Sequence, residues 1–284
     1  MNIIKQKPNS FMIYCLLLFF SFSCVAQVYQ GKIRDAANGN PLPYANLGVI
    51  GKSIGGISND KGIFDIKFDG IAKSDSIMFS YIGYTSKVYS VKDFDFSNSL
   101  IELSPEIYDL HNIQVIAKRK IIRIGHKPKR YKGSTGWGEN NPSEGISRGT
   151  VIEAPANPVI LKRFAVKLRH NTFDSVRLRV HIYEFENGHI GKSVLQKNLF
   201  FTTDRNGWIF ADLEKETVIM DKDFAVGIEW VDAWTNKPEF ERHRLSVAIR
   251  KSKGYFLTRD SPHQNWGIST NSIRPAFYLE GYNF

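Results

Sequence analysis

Two kinds of residue in this chain could act on a sugar. Trp137, Trp234 and Trp266 stand in loop-like contexts, "GSTGWGENNPSEG", "VDAWTNKPE" and "SPHQNWGIS". An exposed indole offers a flat apolar face to a sugar ring while a nearby Asn, Asp or Arg bonds the hydroxyls. Glu153, Glu229 and Asp232, in "GTVIEAP" and "GIEWVDAW", could supply a carboxylate pair. Glycoside hydrolysis needs two such groups about 5 to 9.5 Å apart. The competing readings are a loop lid over the core for the tryptophans and a solubilising role on a wet strand face for the carboxylates. Trp230 shares parity with Phe224, Val226 and Ile228 and is expected in the core; Trp208 follows a turn and is expected to pack as well.

A third candidate is "GISNDKGIFDIKF", residues 56–68. An EF-type calcium loop needs oxygen ligands at positions 1, 3 and 5, a glycine at 6 and a bidentate Glu at 12. With Gly62 at position 6, Ile57, Lys61 and Phe68 fall at positions 1, 5 and 12, so the pattern fails and Lys61 adds a charge of the wrong sign. A hairpin turn fits better, with Asp60 bonding nearby amides and Gly62 at positive φ. The seven histidines include no HExxH and no short-spaced His/Asp pair for zinc, and there is no Gly-x-Ser-x-Gly elbow or phosphate-binding glycine loop. No metal and no cofactor is expected, and the protein is expected not to be an enzyme.

The elements that would position these residues are strands. Before residue 117, turn signals such as "DAANGNP", "SNDKG" and "DGIAKSD" recur between short runs rich in β-branched and aromatic residues. In the second half, "SVRLRVHIYEF" sets Val176, Leu178, Val180 and Ile182 on one side and Arg177, Arg179, His181 and Tyr183 on the other. The first set predicts a core face and the second a wet one. "FAVGIEW" alternates in the same way, and the second half holds about eight or nine strands in all, which a jelly-roll-like sandwich would close. An eight-stranded outer-membrane barrel is the rival, but it would crowd Lys162, Arg163, Lys167, Arg169, Arg177 and Arg179 into a narrow lumen.

The first half resembles a known family. "GKIRDAANGNPLPYANLGV", "GGISNDKGIFDI", "IMFSYIGYTSKVYSV" and "IELSPEIYDLHNIQVIAKR" are similar to the carboxypeptidase regulatory-like domain common in exported proteins of Bacteroidetes. The resemblance is carried by Gly31, Asp35, Pro41, Leu42, Ala45, Asp60, Gly62, Phe64, Ser80, Gly83, Tyr84, Leu103 and Val115. It implies a transthyretin-like, seven-stranded Greek-key sandwich acting as a non-catalytic accessory module. The family often precedes a TonB-dependent transporter; the roughly 150 residues that follow here are too few for a plug and barrel, so transporter function is not expected.

Residues 1–26 read as an export signal, with Lys5 and Lys7 before the apolar run "FMIYCLLLFF" and a small residue, Ala26, at the end. The run is shorter than the roughly 20 residues that span a bilayer. Cleavage would leave a chain starting near Gln27; lipidation at Cys24 is the alternative. Both cysteines lie in this segment, so the body has no disulfide to rely on and needs a hydrophobic core. Without residues 1–26 the chain holds 36 basic and 28 acidic side chains, net +8, and "KRKIIRIGHKPKRYK", 118–132, holds eight basic and no acidic ones. Such a run is read as a solvated linker or as a patch for lipopolysaccharide phosphates, acidic glycans or nucleic acid.

The expectation is an all-β chain: a signal peptide at 1–26, a carboxypeptidase regulatory-like sandwich at 27–117, a basic linker at 118–150 and a second sandwich at 151–284. It is expected to be exported, in the periplasm or at the outer membrane or cell surface, with a structural or interaction role. Carbohydrate binding through Trp137, Trp234 and Trp266 is the alternative, and a glycosidase the more distant one. An envelope glycan or another envelope protein is the expected partner, nucleic acid is not, and membrane association would require a lipid on Cys24.

Overall fold

The computed structural model describes residues 28–67, 69–96, 99–106, 120–139, 144–236, 243–270 and 273–283. Nearly every element is a strand, as the alternation predicts. The N-terminal unit contains β1 (Val28–Asp35), β2 (Asn46–Val49), β3 (Gly55–Ile57), β4 (Ile63–Lys67), β5 (Ser76–Ser80), β6 (Tyr84–Thr85), β7 (Lys87–Ser90) and β8 (Ser99–Pro105). They form two four-stranded sheets, β4-β1-β8-β6 and β3-β2-β5-β7. The pair β1–β8 is parallel, Ile33 lying opposite Ile101. Alternate residues Phe64 and Ile66 of β4 and Ile77 and Phe79 of β5 turn inwards, and with Ile33, Leu47, Ile101 and Leu103 they fill the sandwich. Eight strand segments stand where the family resemblance implies seven.

The "SNDKG" turn joins β3 to β4, and those strands belong to different sheets. It is therefore a crossing between layers and not a hairpin. Asn59, not Asp60, organises it: its side-chain oxygen accepts the amides of Lys61 (2.9 Å) and Ile63 (3.0 Å). Gly62 has φ +70°, and a Cβ there would lie 2.5 Å from the carbonyl oxygen of Ile33. Gly62→Ala is expected to destabilise the protein by about 2 kcal/mol or more, through both the left-handed backbone and the clash. Urea unfolding checks this, and a variant as stable as the parent would contradict it.

The C-terminal unit contains β9 (Ile121–Gly125), β10 (Gly133–Glu139), β11 (Ser147–Ile152), β12 (Val159–Asn171), β13 (Ser175–Glu186), β14 (His189–Ser193), β15 (Leu199–Thr203) and β16 (Gly207–Asp212). After a short 3-10 turn come β17 (Ile219–Met220), β18 (Phe224–Trp234), β19 (Arg244–Arg250), β20 (Tyr255–Arg259), β21 (Gly267–Thr270), β22 (Arg274–Pro275) and β23 (Phe277–Asn283). One sheet runs β10-β19-β12-β23-β9, with β16 and β17 on β12 and β22 on β19. The other runs β14-β13-β18-β11-β20-β21, with β15 on β13. The core between them holds Phe164, Val166, Leu168, Phe277 and Leu279 from the first sheet and Val180, Ile182, Val226, Ile228 and Trp230 from the second. The sheets face each other across packed side chains, the arrangement of a sandwich.

The expected basic linker at 118–150 is corrected in part. Within it, β9 pairs with β23, β10 pairs with β19, and β11 begins at Ser147 between β18 and β20. The charge run conceals a two-residue period, since Ile122 and Ile124 pack against the core while Arg123 points out to Glu280. Lys118 and Arg119 lie outside the described residues.

Candidate functional site

The face of β13 and β18 that alternation marks as wet is covered by the N-terminal sandwich. Every residue of β18 from Phe224 to Val231 is buried, on both parities. This face carries a buried polar network. The Arg179 and Glu229 side chains both have 0% exposure. Arg179 Nε donates to Glu229 Oε2 at 2.8 Å, and Nη1 donates to the Asn198 side chain at 2.8 Å and to the Tyr44 carbonyl at 2.9 Å. Its Nη2 donates to the Asn46 side chain. Tyr44 and Asn46 belong to the N-terminal unit, so one guanidinium ties both units to one carboxylate. The planar fork of arginine suits this role, since its donors point in several fixed directions at once.

His181, two residues along β13, places Nε2 2.7 Å from Glu229 Oε2 and Nδ1 3.0 Å from the Tyr183 hydroxyl. Burial pushes the imidazole down to about 4, outweighing the bond to Glu229, so His181 is neutral at pH 7. Burial also opposes charge on Glu229, but Arg179 and the His181 hydrogen bond prevail and hold its carboxyl at about 2. The anionic carboxylate then accepts from His181 Nε2–H, which leaves Nδ1 to accept from Tyr183. The result is a line from hydroxyl to imidazole to carboxylate to guanidinium.

Tyr44 anchors the contact on the other side. Its φ of 60° is unusual for a non-glycine residue, and its buried ring packs with Ile57 and Val231. Its hydroxyl meets the Arg177 guanidinium and lies 3.4 Å from an Asp232 oxygen. Gly83, one of the family-resemblance positions, has φ +88°, and a Cβ there would sit 2.3 Å from the Gln196 carbonyl oxygen. A glycine is required where the two units approach so closely.

Beside this network the units enclose a cleft of about 530 Å³, with Ser80 and Tyr81 on one side and His181, Tyr183, Arg259 and His263 on the other. That volume is in the range of small-ligand sites. His263 is also pushed down to about 4, by burial and by Arg259.

The tryptophans fall in three different places. Trp137 is a core residue with 1% exposure, edge-on to Trp230, its Nε1 donating to the Ile146 carbonyl at 2.9 Å. It cannot meet a ligand there, which corrects its place among the candidate binding residues. Trp234 is 41% exposed at the end of β18, under Arg177. Trp266 is half-buried beside the cleft, with Arg259 4.6 Å from its ring centre and Tyr183 edge-on. Trp234 pairs with Ser175 at one end of β13, while Trp266 contacts Tyr183 eight residues further on. At about 3.3 Å per residue that is roughly 26 Å, too far for one shared platform. Among the candidate carboxylates Glu153 is exposed, Asp232 is half-buried and Glu229 is fully enclosed. The network of Arg179, His181 and Glu229 could not be found from strand parity, which sent the first two to solvent.

No curated protein matches the sequence. Among solved structures, the chain is similar to the infectious bursal disease virus VP2 subviral particle, at 10% identity over 90% of this chain and 64% of that one, with a TM-score of 0.25. It is likewise similar to T=1 particles derived from infectious bursal virus, at 10% identity over 90% and 62%, also with a TM-score of 0.25. The chain spans less than two thirds of those chains, and likeness at that level carries no argument about fold or role. The family comparison is specific: residues 29–115 match the model of the CarboxypepD_reg-like domain. They coincide with the strands β1 to β8 and the segment just after them, and this part of the chain is a carboxypeptidase regulatory-like domain.

Proposed function

We propose that the protein is an exported, non-catalytic component of the cell envelope, in which the carboxypeptidase regulatory-like sandwich is held against the second sandwich as one interaction body. The observation that carries this reading is the Arg179 clamp, which joins Tyr44 and Asn46 of the first unit to Glu229 of the second without exposure to water. The same geometry argues against catalysis by Glu229. A general acid or base works best with its pKa near the operating pH, whereas His181 sits at about 4 and Glu229 at about 2. The export part rests on the character of residues 1–26 and on a body without cysteine.

Hydrolysis of a panel of aryl glycosides by the parent protein and by Glu229→Gln tests the non-catalytic reading, with no turnover expected from either. Turnover by the parent that Glu229→Gln abolishes would establish the glycosidase instead. Carbohydrate binding is the second reading, favoured by the position of Trp266 beside the cleft. It expects neutral oligosaccharides to quench tryptophan fluorescence in the parent but not in Trp266→Ala.

A further inference from the structure

Ile121–Gly125 of the basic segment are built into a sheet as β9, with cations of that segment next to aromatic rings. The order β9-β23-β12-β16 sets Arg123, Glu280, Arg163 and Asp212 in one row across four strands. Glu280 is spent on its neighbours, accepting from Arg123 at 2.6 Å and from Arg163 at 2.5 Å. On the same face Lys127 Nζ stands 5.1 Å from the Tyr278 ring centre and 5.6 Å from that of Trp208. Lys167 Nζ lies 5.7 Å from the Tyr131 centre and 6.0 Å from that of Trp208. Trp208 and Tyr278 meet edge-on at 4.7 Å.

Beside Lys167 a hollow of about 470 Å³ is lined by Tyr131, Arg169, Asn206 and Gly207. Among the described residues, Lys127, Lys167 and Arg169 take part in no salt bridge, although Arg169 donates to the Gly133 carbonyl. Lys129, Arg130 and Lys132 add exposed charge in the adjoining segment. Among the described residues, positive charge therefore gathers on and around this face.

We propose that this face binds a linear acidic polysaccharide, one that carries a carboxylate on successive sugars. The spacing points to a polymer. Arg123 and Arg163 stand two strands apart, roughly 10 Å, and Arg163 and Lys167 are four residues apart, roughly 13 Å along the strand. A small anion meets one of these cations, whereas a chain with repeated charges meets several and releases counterions at each. The rings point to a sugar in place of a nucleic acid base. Lysine ammonium groups already stand over Trp208 and Tyr278, so a flat base is denied the open stack that single-strand binding uses. A uronate carboxylate instead bonds to those ammonium groups, and a second one along the chain reaches the Arg163 guanidinium, which stands 4.7 Å over the 44%-exposed Phe210 ring. A bilayer fits less well, since Tyr278 is buried and Trp208 half-buried, leaving little apolar surface to insert.

The proposal is independent of the clamp and of any role for the cleft. It is tested by titrating the protein with oligogalacturonate, dextran, phosphatidylglycerol vesicles and single-stranded DNA at several salt concentrations. The double variant Lys127→Gln with Arg169→Gln changes two exposed side chains, and an unchanged melting temperature checks that it folds. The expected result is salt-sensitive binding of oligogalacturonate and none of dextran. The double variant should bind at least tenfold more weakly, with a salt slope reduced by about one to two. Four results overturn the proposal: no oligogalacturonate binding at low salt, dextran bound as well as oligogalacturonate, equal binding by parent and variant, or vesicles or DNA bound as tightly as the oligogalacturonate.

Discussion

Arg179→Ala is expected to destabilise the folded protein by about 3 to 5 kcal/mol, the cost of removing one partner from a buried ion pair. The variant would leave the Glu229 anion enclosed with only the His181 hydrogen bond, and would strip a donor from Tyr44, Asn46 and Asn198. Arg34→Ala is the internal comparison. It breaks an ion pair with Glu102 whose side chains are 37% and 42% exposed, and the expected loss is below about 1 kcal/mol because water screens the pair. Urea unfolding of both variants measures the contrast. A further variant, Arg179→Met with Glu229→Gln, removes both charges together and is expected to be more stable than Arg179→Ala, because no uncompensated charge remains. Equal losses at Arg34 and Arg179 would show that the clamp contributes no more than a surface pair.

Acid is expected to weaken the same interface well above the pH at which ordinary carboxylates titrate. The His181 imidazole has a folded pKa of about 4 against an ordinary 6.5, with burial as the main cause. Between those values the unfolded chain takes up the proton and the folded one does not, so stability is full above about pH 6.5 and falls as pH drops to about 4. At about 1.4 kcal/mol per pH unit, the loss reaches roughly 3 kcal/mol from this one residue. His263 and His126, also lowered to about 4, act in the same direction over the same window. Glu229 follows lower down: its contribution is full above about 4.5 and is lost as pH falls towards about 2. Unfolding free energies measured from pH 7 to pH 4 should therefore decline steeply, and His181→Gln should remove about one proton from that slope. A slope unchanged in His181→Gln would contradict a buried neutral imidazole at this position.

Much of the architecture is legible in local pattern. The alternation through Val176, Leu178, Val180 and Ile182 and through Phe224, Val226, Ile228 and Trp230 identifies the residues that meet in the second core. The "SNDKG" turn with Gly62 at positive φ follows from turn chemistry alone, although which of Asn59 and Asp60 organises it does not. The family of residues 29–115 is legible in the sequence itself, which matches the model of the CarboxypepD_reg-like domain there.

What the sequence could not determine is which faces have a second layer over them. Parity groups Arg177, Arg179, His181 and Tyr183 on one side of β13 because strand geometry is local. Whether that side meets water depends on where a separate sandwich docks, and the residues that enclose Arg179, Tyr44 and Asn46, lie more than 130 positions away. Trp137 shows the same limit: its glycine-rich surroundings read as a loop, yet pairing of β10 with β19 more than 100 residues later carries it into the core. The charge run from Lys118 reads as solvated because like charges repel, and at Arg123 that repulsion is relieved by a distant strand, β23, which brings Glu280 between Arg123 and Arg163. Local sequence thus decided the elements and their apolar sides, while pairings between distant strands decided which polar side chains are buried, because burial and charge compensation are properties of what lies opposite and not of the strand itself.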